Sequence, residues 1–352
     1  MTDVSLPSID GDRAVKDLSP RPPRGTGPWS RVGLAIGIAG IAALFVVRAV
    51  TAESDPGLPN ALQDLLRLSY SLIIESLPFV ILGVVLAILV QVWIPDAWII
   101  RILPKNPVLR RMVISTLGIF LPVCECGNLP LARGLIARGF SVPEAMTFLL
   151  AAPIVNPITI ITTHQAFGFD DGILVARLLG GLAIANLIGW IFSKHPDQES
   201  LLTPRFADEC RVVETPHRDT RLTKTLDLFV REASIIMPAL FLGSLAAGAV
   251  QVIVPRSVLV ELGSNPIWSI VAMMVLAFVI SVCASVDAFF ILPFAGTFMP
   301  GSIATFLIFG PIIDIKMLAM MRTTFTTRTL AQLVAVVALV SALIGLVVNY
   351  AA

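Results

Sequence analysis

Long apolar runs dominate the chain, with little of the polar alternation that marks half-buried elements in water-soluble proteins. Residues 32–47, 77–94, 172–193, 233–254, 266–283 and 329–349 are each close to or above the length that crosses about 30 Å of hydrocarbon as a helix. Two apolar blocks, Arg111–Gly139 and Pro266–Thr297, are broken in the middle. The breaks fall at Pro122-Val123-Cys124-Glu125-Cys126-Gly127-Asn128 and at Ser281-Val282-Cys283-Ala284-Ser285-Val286-Asp287. Each arm of about a dozen residues reaches roughly 18 Å as a helix, or about the bilayer midplane. The pattern predicts re-entrant or broken-helix hairpins there, since irregular backbone at that depth must be buried in protein or line a cavity.

The pattern also occurs twice. Leu77-Pro78-Phe79-Val80-Ile81-Leu82-Gly83, leading to Val90-Gln91-Val92, returns as Met237-Pro238-Ala239-Leu240-Phe241-Leu242-Gly243, leading to Val250-Gln251-Val252. Thr147-Phe148-Leu149-Leu150-Ala151-Ala152-Pro153-Ile154-Val155-Asn156 returns as Thr305-Phe306-Leu307-Ile308-Phe309-Gly310-Pro311-Ile312-Ile313-Asp314. Proline-interrupted apolar segments at corresponding places in two halves are the mark of a transporter with its site between the repeats.

Composition agrees. The chain is 56% hydrophobic and 14% charged, and its net charge of +1 gives no footing for nucleic acid. Lys and Arg placement sets the expected sides. Arg21, Arg24 and Arg31 put the N-terminus inside, with Arg101, Lys105, Arg110 and Arg111, the stretch Lys194–Lys224, and Lys316, Arg322 and Arg328 on the same side. Glu53, Asp55, Asp170 and Asp171 fall outside. The segments after Pro78 and Pro238 then run in opposite directions, which makes the repeats inverted. Val50-Thr51-Ala52 has the look of a signal-peptide cleavage site, but the long charged lead-in argues against one. The expected fold is an all-α polytopic membrane protein in a cytoplasmic (inner) membrane. Its parts are a disordered cytoplasmic N-terminus (1–31), a first span (32–50), repeat 1 (65–193), a cytoplasmic, solvated linker (194–224) and repeat 2 (225–350). Each repeat has about three spans and one hairpin.

The chemistry should sit at the breaks. Cys124 and Cys126 flank Glu125 and are followed by Gly127 and Asn128, with Cys283, Ser285 and Asp287 at the other break. Thiolates suit soft ions, so Cys124, Cys126 and Cys283 are the candidate metal ligands if the two tips meet. A disulfide framework is not expected. Pro153, Asn156 and Pro157, with Pro311 and Asp314 opposite, should break helices and free carbonyls for a solute. Ionisable residues at depth are functional candidates, and Glu125, Asp287 and Asp314 are candidates for proton coupling. Lys316 is an alternative, purely structural partner for the two aspartates. Glu75 and Glu232 read as helix-end contacts, Arg133, Arg138 and Arg177 as residues that reach to the interface, and His164 and Cys210 as incidental. Gly180, Gly181, Gly243 and Gly248 read as close helix packing. No nucleotide-binding, zincin or hydrolase motif occurs, so neither an enzyme nor a cofactor is expected.

At Pro122-Val123-Cys124-Glu125-Cys126-Gly127-Asn128-Leu129-Pro130-Leu131-Ala132-Arg133-Gly134 and Ala151-Ala152-Pro153-Ile154-Val155-Asn156-Pro157 the chain resembles the ArsP-type predicted permeases, over roughly residues 65–349. The resemblance implies a permease, and characterised members are linked to export of trivalent organoarsenicals. Glu125 stands where that family usually has a small hydroxyl residue, which favours a cationic over a neutral solute. The expectation is therefore a secondary-transporter-like permease exporting a soft metal, metalloid or thiol-reactive small compound. A membrane thiol oxidoreductase built on Cys124 and Cys126, or a channel, is the alternative. Its partners would be the solute or ion and the lipid bilayer, with no nucleic acid and with homo-oligomerisation left open.

Overall fold

The structure is a computed structural model. It describes residues 60–93, 104, 106–120, 125–169, 172–213, 221–253 and 266–351, together with 35, 39–43 and 46 of the first apolar run. The expected disordered N-terminus, most of the first span, and Cys124 lie outside the described residues. Among the described residues the fold is helical throughout, with one isolated bridge between Leu202 and Phe325. The all-α expectation holds.

In chain order the helices are α1 (Asn60–Ile88, continued by a π turn at Leu89–Trp93), α2 (Pro107–Thr116, continued by a 3-10 turn at Leu117–Phe120), α3 (Glu125–Ala137), α4 (Val142–Val155), α5 (Pro157–Phe167) and α6 (Ile173–Ser193). Then follow α7 (Pro204–Val213), α8 (Arg221–Ile253), α9 (Pro266–Ile280), α10 (Asp287–Ile291), α11 (Pro300–Phe309), α12 (Ile315–Met321) and α13 (Thr327–Ala351). Four stretches are long and apolar enough to cross a bilayer: Ala61–Trp93, Ile173–Ser193, Thr225–Val252 and Thr327–Tyr350. The pair α4–α5, bent by 41° at Asn156, makes a fifth broken candidate. The protein is a multi-pass membrane protein. Leu179, Leu242, Leu339, Leu343 and Val347 are exposed on these helices, as lipid contact requires.

Local chemistry explains the breaks. Asn156 ends α4 and caps α5, its Oδ1 accepting from the Ile158 N–H at 2.9 Å, while Pro157 occupies the first helical position, where its missing donor does no harm. Asp314 does the same for α12, accepting from the Met317 N–H after Pro311 has ended the preceding helix. The break at 281–286 contains Ser281 with φ 53°, a left-handed backbone that a residue with a Cβ adopts only at a cost of roughly 1–2 kcal/mol. Gln251 reaches into this break and donates to the Ile280 carbonyl at 2.8 Å, capping an orphaned helix end.

Packing runs on small residues. The long helices α1 and α8, each with an internal proline (Pro78, Pro238), lie along one another, with Ser69 against Gly248. Helices α4 and α6 pack together, as do α11 and α13. Gly181 faces Ile154, and a Cβ on Gly301 would fall 2.0 Å from the Gly345 carbonyl oxygen. The reading of Gly180, Gly181, Gly243 and Gly248 as packing glycines agrees with these contacts. Part of the polar linker is not solvated, contrary to the expectation. Leu201, Leu202 and Phe206 are buried, and the Thr203 N–H donates to Thr324 O at 2.9 Å while the Thr326 N–H donates to Leu201 O at 3.0 Å. Its charges are interleaved with apolar residues that dock on the turn after α12.

Candidate functional site

Helix α3 begins at Glu125, so Glu125, Cys126, Gly127 and Asn128, expected within the first break, are helical, while Pro122 and Val123 lie outside the described residues. The backbone there is held tightly, since a Cβ on Gly83 of α1 would lie 2.2 Å from the carbonyl oxygen of Gly127. The absence of a Cβ at Gly83 lets α1 approach the first turn of α3, which carries Glu125, this closely. Helix α12 begins after the later break and carries Lys316. Gly243 of α8 lies beneath it, a Cβ there falling 3.1 Å from Lys316 O.

These two helix starts meet the third break. Glu125 and Lys316 are each 1% exposed, and Lys316 Nζ lies 3.7 Å from Glu125 Oε1. Lys316 Nζ donates to Ser76 Oγ at 3.0 Å, and the Cys126 thiol donates to the same oxygen at 3.7 Å. On the other side, the Cys283 thiol and the Ala284 N–H both point at Glu125 Oε2 at 3.5 Å, and Ser285 Oγ donates to Cys283 Sγ at 3.2 Å. Lys316 also lies within electrostatic range of Asp314 and Glu75. Helices α1, α3 and α12 and the break at 281–286 thus deliver a carboxylate, an ammonium, two thiols and two hydroxyls to one spot. All the contacts to Glu125 are long, so the carboxylate is surrounded rather than locked.

The predicted residues distribute as follows. Glu125, Cys126 and Cys283 come together, with Ser285 beside them and Asp314 in range. Gly127 forms the close approach to α1. Asn128 is fully buried, and neither amide atom has a hydrogen-bond partner among the described residues. Asn156 and Pro157, with Pro153 inside α4, form the α4–α5 break, and Pro311 lies in the break before Asp314. Among the described residues no three His, Cys, Asp or Glu side chains are placed to hold a metal ion together. Cys124, the third expected thiol, is outside them.

The expectations for Asp287, Arg177, Arg133, Arg138, Glu75 and Glu232 need correction. Asp287 does not pair with Lys316; it takes a two-pronged ion pair from Arg177, at 2.6 and 2.9 Å, with both side chains buried. Arg177 also donates to Thr163 Oγ1 at 2.7 Å. Nor does Arg133 reach to an interface. It is 1% exposed, bonds Glu232 at 2.8 Å and Glu209 at 3.1 Å, donates to Thr324 Oγ1 at 3.1 Å, and lies over the Phe206 ring at 4.1 Å. Arg138 turns inward too, donating to the Val90 carbonyl at 3.0 Å. Glu75 and Glu232 lie well inside long helices, because α1 and α8 begin upstream of their apolar runs. For the arginines, Asp287 and Glu232 the partner comes from an element distant in sequence. Cys210 belongs to the Arg133 cluster; burial pushes its thiol up to about 11, against the pull of the Arg133 charge. Ser76 escapes sequence reasoning, its only signal being a hydroxyl beside Glu75 inside an apolar run.

Among known proteins, the chain is 36% identical over 260 residues to the UPF0718 protein YcgR of Bacillus subtilis, covering 73% of this chain and 87% of that one. It is 32% identical over 298 residues to a putative two-component membrane permease complex subunit of Streptococcus mutans, covering 83% and 97%. Similarity to the UPF0718 protein YraQ of Escherichia coli, 33% identical, is confined to 116 residues, 32% of each chain. No solved structure matches. The profile of the ArsP-type family, described as predicted permease, matches residues 61–350, and the chain belongs to that family.

Proposed function

We propose that the protein is a transporter-like permease that exports a soft, thiol-reactive small solute through a site formed by Glu125, Cys126, Ser76, Cys283 and Lys316. The observation that carries this reading is the meeting of three helix starts and breaks, drawn from both halves of the chain, around one buried carboxylate flanked by thiols. Proline-broken helices at membrane depth are what a solute site between repeats needs. The recurring order of elements supports two inverted repeats: a long Pro-containing helix, a helix ending in a break, a helix pair with a second break, and a closing long helix. Arg and Lys placement supports a cytoplasmic-membrane protein with its N-terminus inside. By likeness to the Streptococcus mutans relative, a second subunit is a natural partner; co-purification from the native host tests it.

The transport reading is tested by uptake of phenylarsine oxide and Ag(I) into everted vesicles that hold the wild type or a Cys126→Ser/Cys283→Ser variant. Uptake by the wild type and its loss in the variant is the expected result. Equal accumulation in vesicles lacking the protein defeats the reading.

A further inference from the structure

The buried charges around the site do not balance among the described residues. Arg177 and Asp287 neutralise one another, and Arg133 is matched by Glu232 and Glu209 away from the site. What remains is Glu125 and Asp314, each 1% exposed, against Lys316, with half-buried Glu75 adding to the negative side. The unmatched carboxylate is accompanied by unmatched polar atoms. Glu125 Oε1, Asp314 Oδ2 and both amide atoms of Asn128 are buried and make no hydrogen bond to the described residues. Asn128 stands one turn after Glu125 on α3, at the spacing that puts two side chains on one helix face. A buried carboxylate without a counter-charge costs several kcal/mol, and a buried amide without a partner costs more than it returns. A proton relieves the charge deficit alone, whereas a cation that the carboxylate and amide oxygens coordinate meets both deficits at once.

We infer that the solute this site takes is positively charged, selected by Glu125 and Asp314 with Asn128 completing its shell. The inference rests on the reading of this cluster as the transport site, and it decides between solutes that thiols alone would accept equally. Cys126 and Cys283 favour a soft cation; Asn128 and Asp314 Oδ2 equally suit an organic ammonium. Positive charge is the chemistry the two share.

The test uses the purified full chain in a Cys210→Ser background, titrated separately with Ag(I), methylammonium and neutral phenylarsine oxide, with apparent melting temperature and calorimetric affinity as readouts. Binding to the folded state raises stability. The expected result is binding of Ag(I), methylammonium or both. Asp314→Asn should weaken it on the order of tenfold, and Lys316→Gln should strengthen it, since removing the competing ammonium deepens the negative potential. Asparagine retains the helix cap at 314. Structural damage would lower affinity in both variants, so the opposite signs are the signature. Ag(I) alone binding with these signs assigns the soft source, and methylammonium alone the organic one. Binding of phenylarsine oxide only, with affinity unmoved by Asp314→Asn and Lys316→Gln, overturns the inference while leaving the thiol site standing. Binding of none of the three overturns both. Cation binding that falls equally in both variants overturns the charge-selection role.

Discussion

Truncating Arg133 to alanine should be among the most damaging single changes in this protein. The guanidinium is 1% exposed and holds Glu232 at 2.8 Å and Glu209 at 3.1 Å. It also bonds the Thr324 hydroxyl and covers Phe206. In this way α3, α8, the docked linker helix α7 and the turn after α12 are all held by one side chain. Arg133→Ala leaves the Glu232 carboxylate, 8% exposed, without a counter-charge. Breaking a buried pair from one side costs about 3–5 kcal/mol, and loss of the stacking contact adds about 1 kcal/mol. Glu232→Gln should cost less, because Arg133 keeps Glu209, and Glu209→Gln least, because its carboxylate is 16% exposed and is shared with Arg231 and Arg205. Removing both charges in Arg133→Met/Glu232→Leu should recover most of the loss, since an apolar pair of similar volume replaces a desolvated ion pair at little net cost. The assay is denaturant unfolding in detergent, followed by tryptophan fluorescence, over the full double-mutant cycle. A loss below about 1 kcal/mol for Arg133→Ala, or a double variant as unstable as the sum of the singles, would refute the reasoning.

Arg177→Met should destabilise by about 3–5 kcal/mol, by leaving Asp287 buried and unpaired, and Asp287→Asn by less; thermal unfolding of the two variants side by side checks the order. Because burial raises the Cys210 thiol to about 11, its thiolate is scarce at pH 8 and forms only as pH climbs toward that value. Maleimide labelling of a variant retaining only Cys210 should therefore be slow at pH 8 and accelerate with pH; a plateau below pH 9 would contradict the assignment. Asn156→Ala should cost about 1 kcal/mol through loss of the α5 cap, measurable by the same unfolding assay.

What is legible in the sequence follows from what each feature depends on. The apolar runs, the prolines and the Asn156 and Asp314 breaks act within one turn of chain, so the pattern reveals them. The doubled Pro78 and Pro238 segments mark the two long central helices by repetition alone. The partners of the buried arginines are not legible, because Arg133 meets Glu232 and Arg177 meets Asp287 only once the two halves fold onto one another. Three arginines in apolar surroundings have two outcomes, a bilayer surface or an internal carboxylate, and local sequence does not choose between them. Glu125 and Cys283 can be proposed as neighbours because each lies at a break. Ser76, in the middle of an unbroken helix, cannot. The linker misleads because its charges conceal Leu201, Leu202 and Phe206, three apolar contacts that bury it.

The repeated glycines show that the two halves, alike in sequence, are used unequally, and that difference is testable. Gly83 and Gly243 occupy the same place in the doubled segment, yet Gly83 lies under the start of α3 and Gly243 under the start of α12. Each therefore packs beneath the first turn of the helix that carries one charged partner, Glu125 in the first case and Lys316 in the second. A Cβ at Gly83 would fall 2.2 Å from the Gly127 carbonyl oxygen and 2.6 Å from its Cα, both backbone atoms with nowhere to go. A Cβ at Gly243 would meet Ala319 Cβ at 3.0 Å and Lys316 O at 3.1 Å, distances relieved by a shift of a few tenths of an ångström. Gly83→Ala should thus force α3 off α1 and lose folded protein, an overpacking penalty of about 1–3 kcal/mol or more. Gly243→Ala should fold and move Lys316 slightly relative to Glu125. Such a change ought to alter solute affinity with little loss of melting temperature, because the Glu125–Lys316 contact at 3.7 Å is already loose. Equal behaviour of the two variants in both readouts would mean that these glycines pack helices generally and do not position the site.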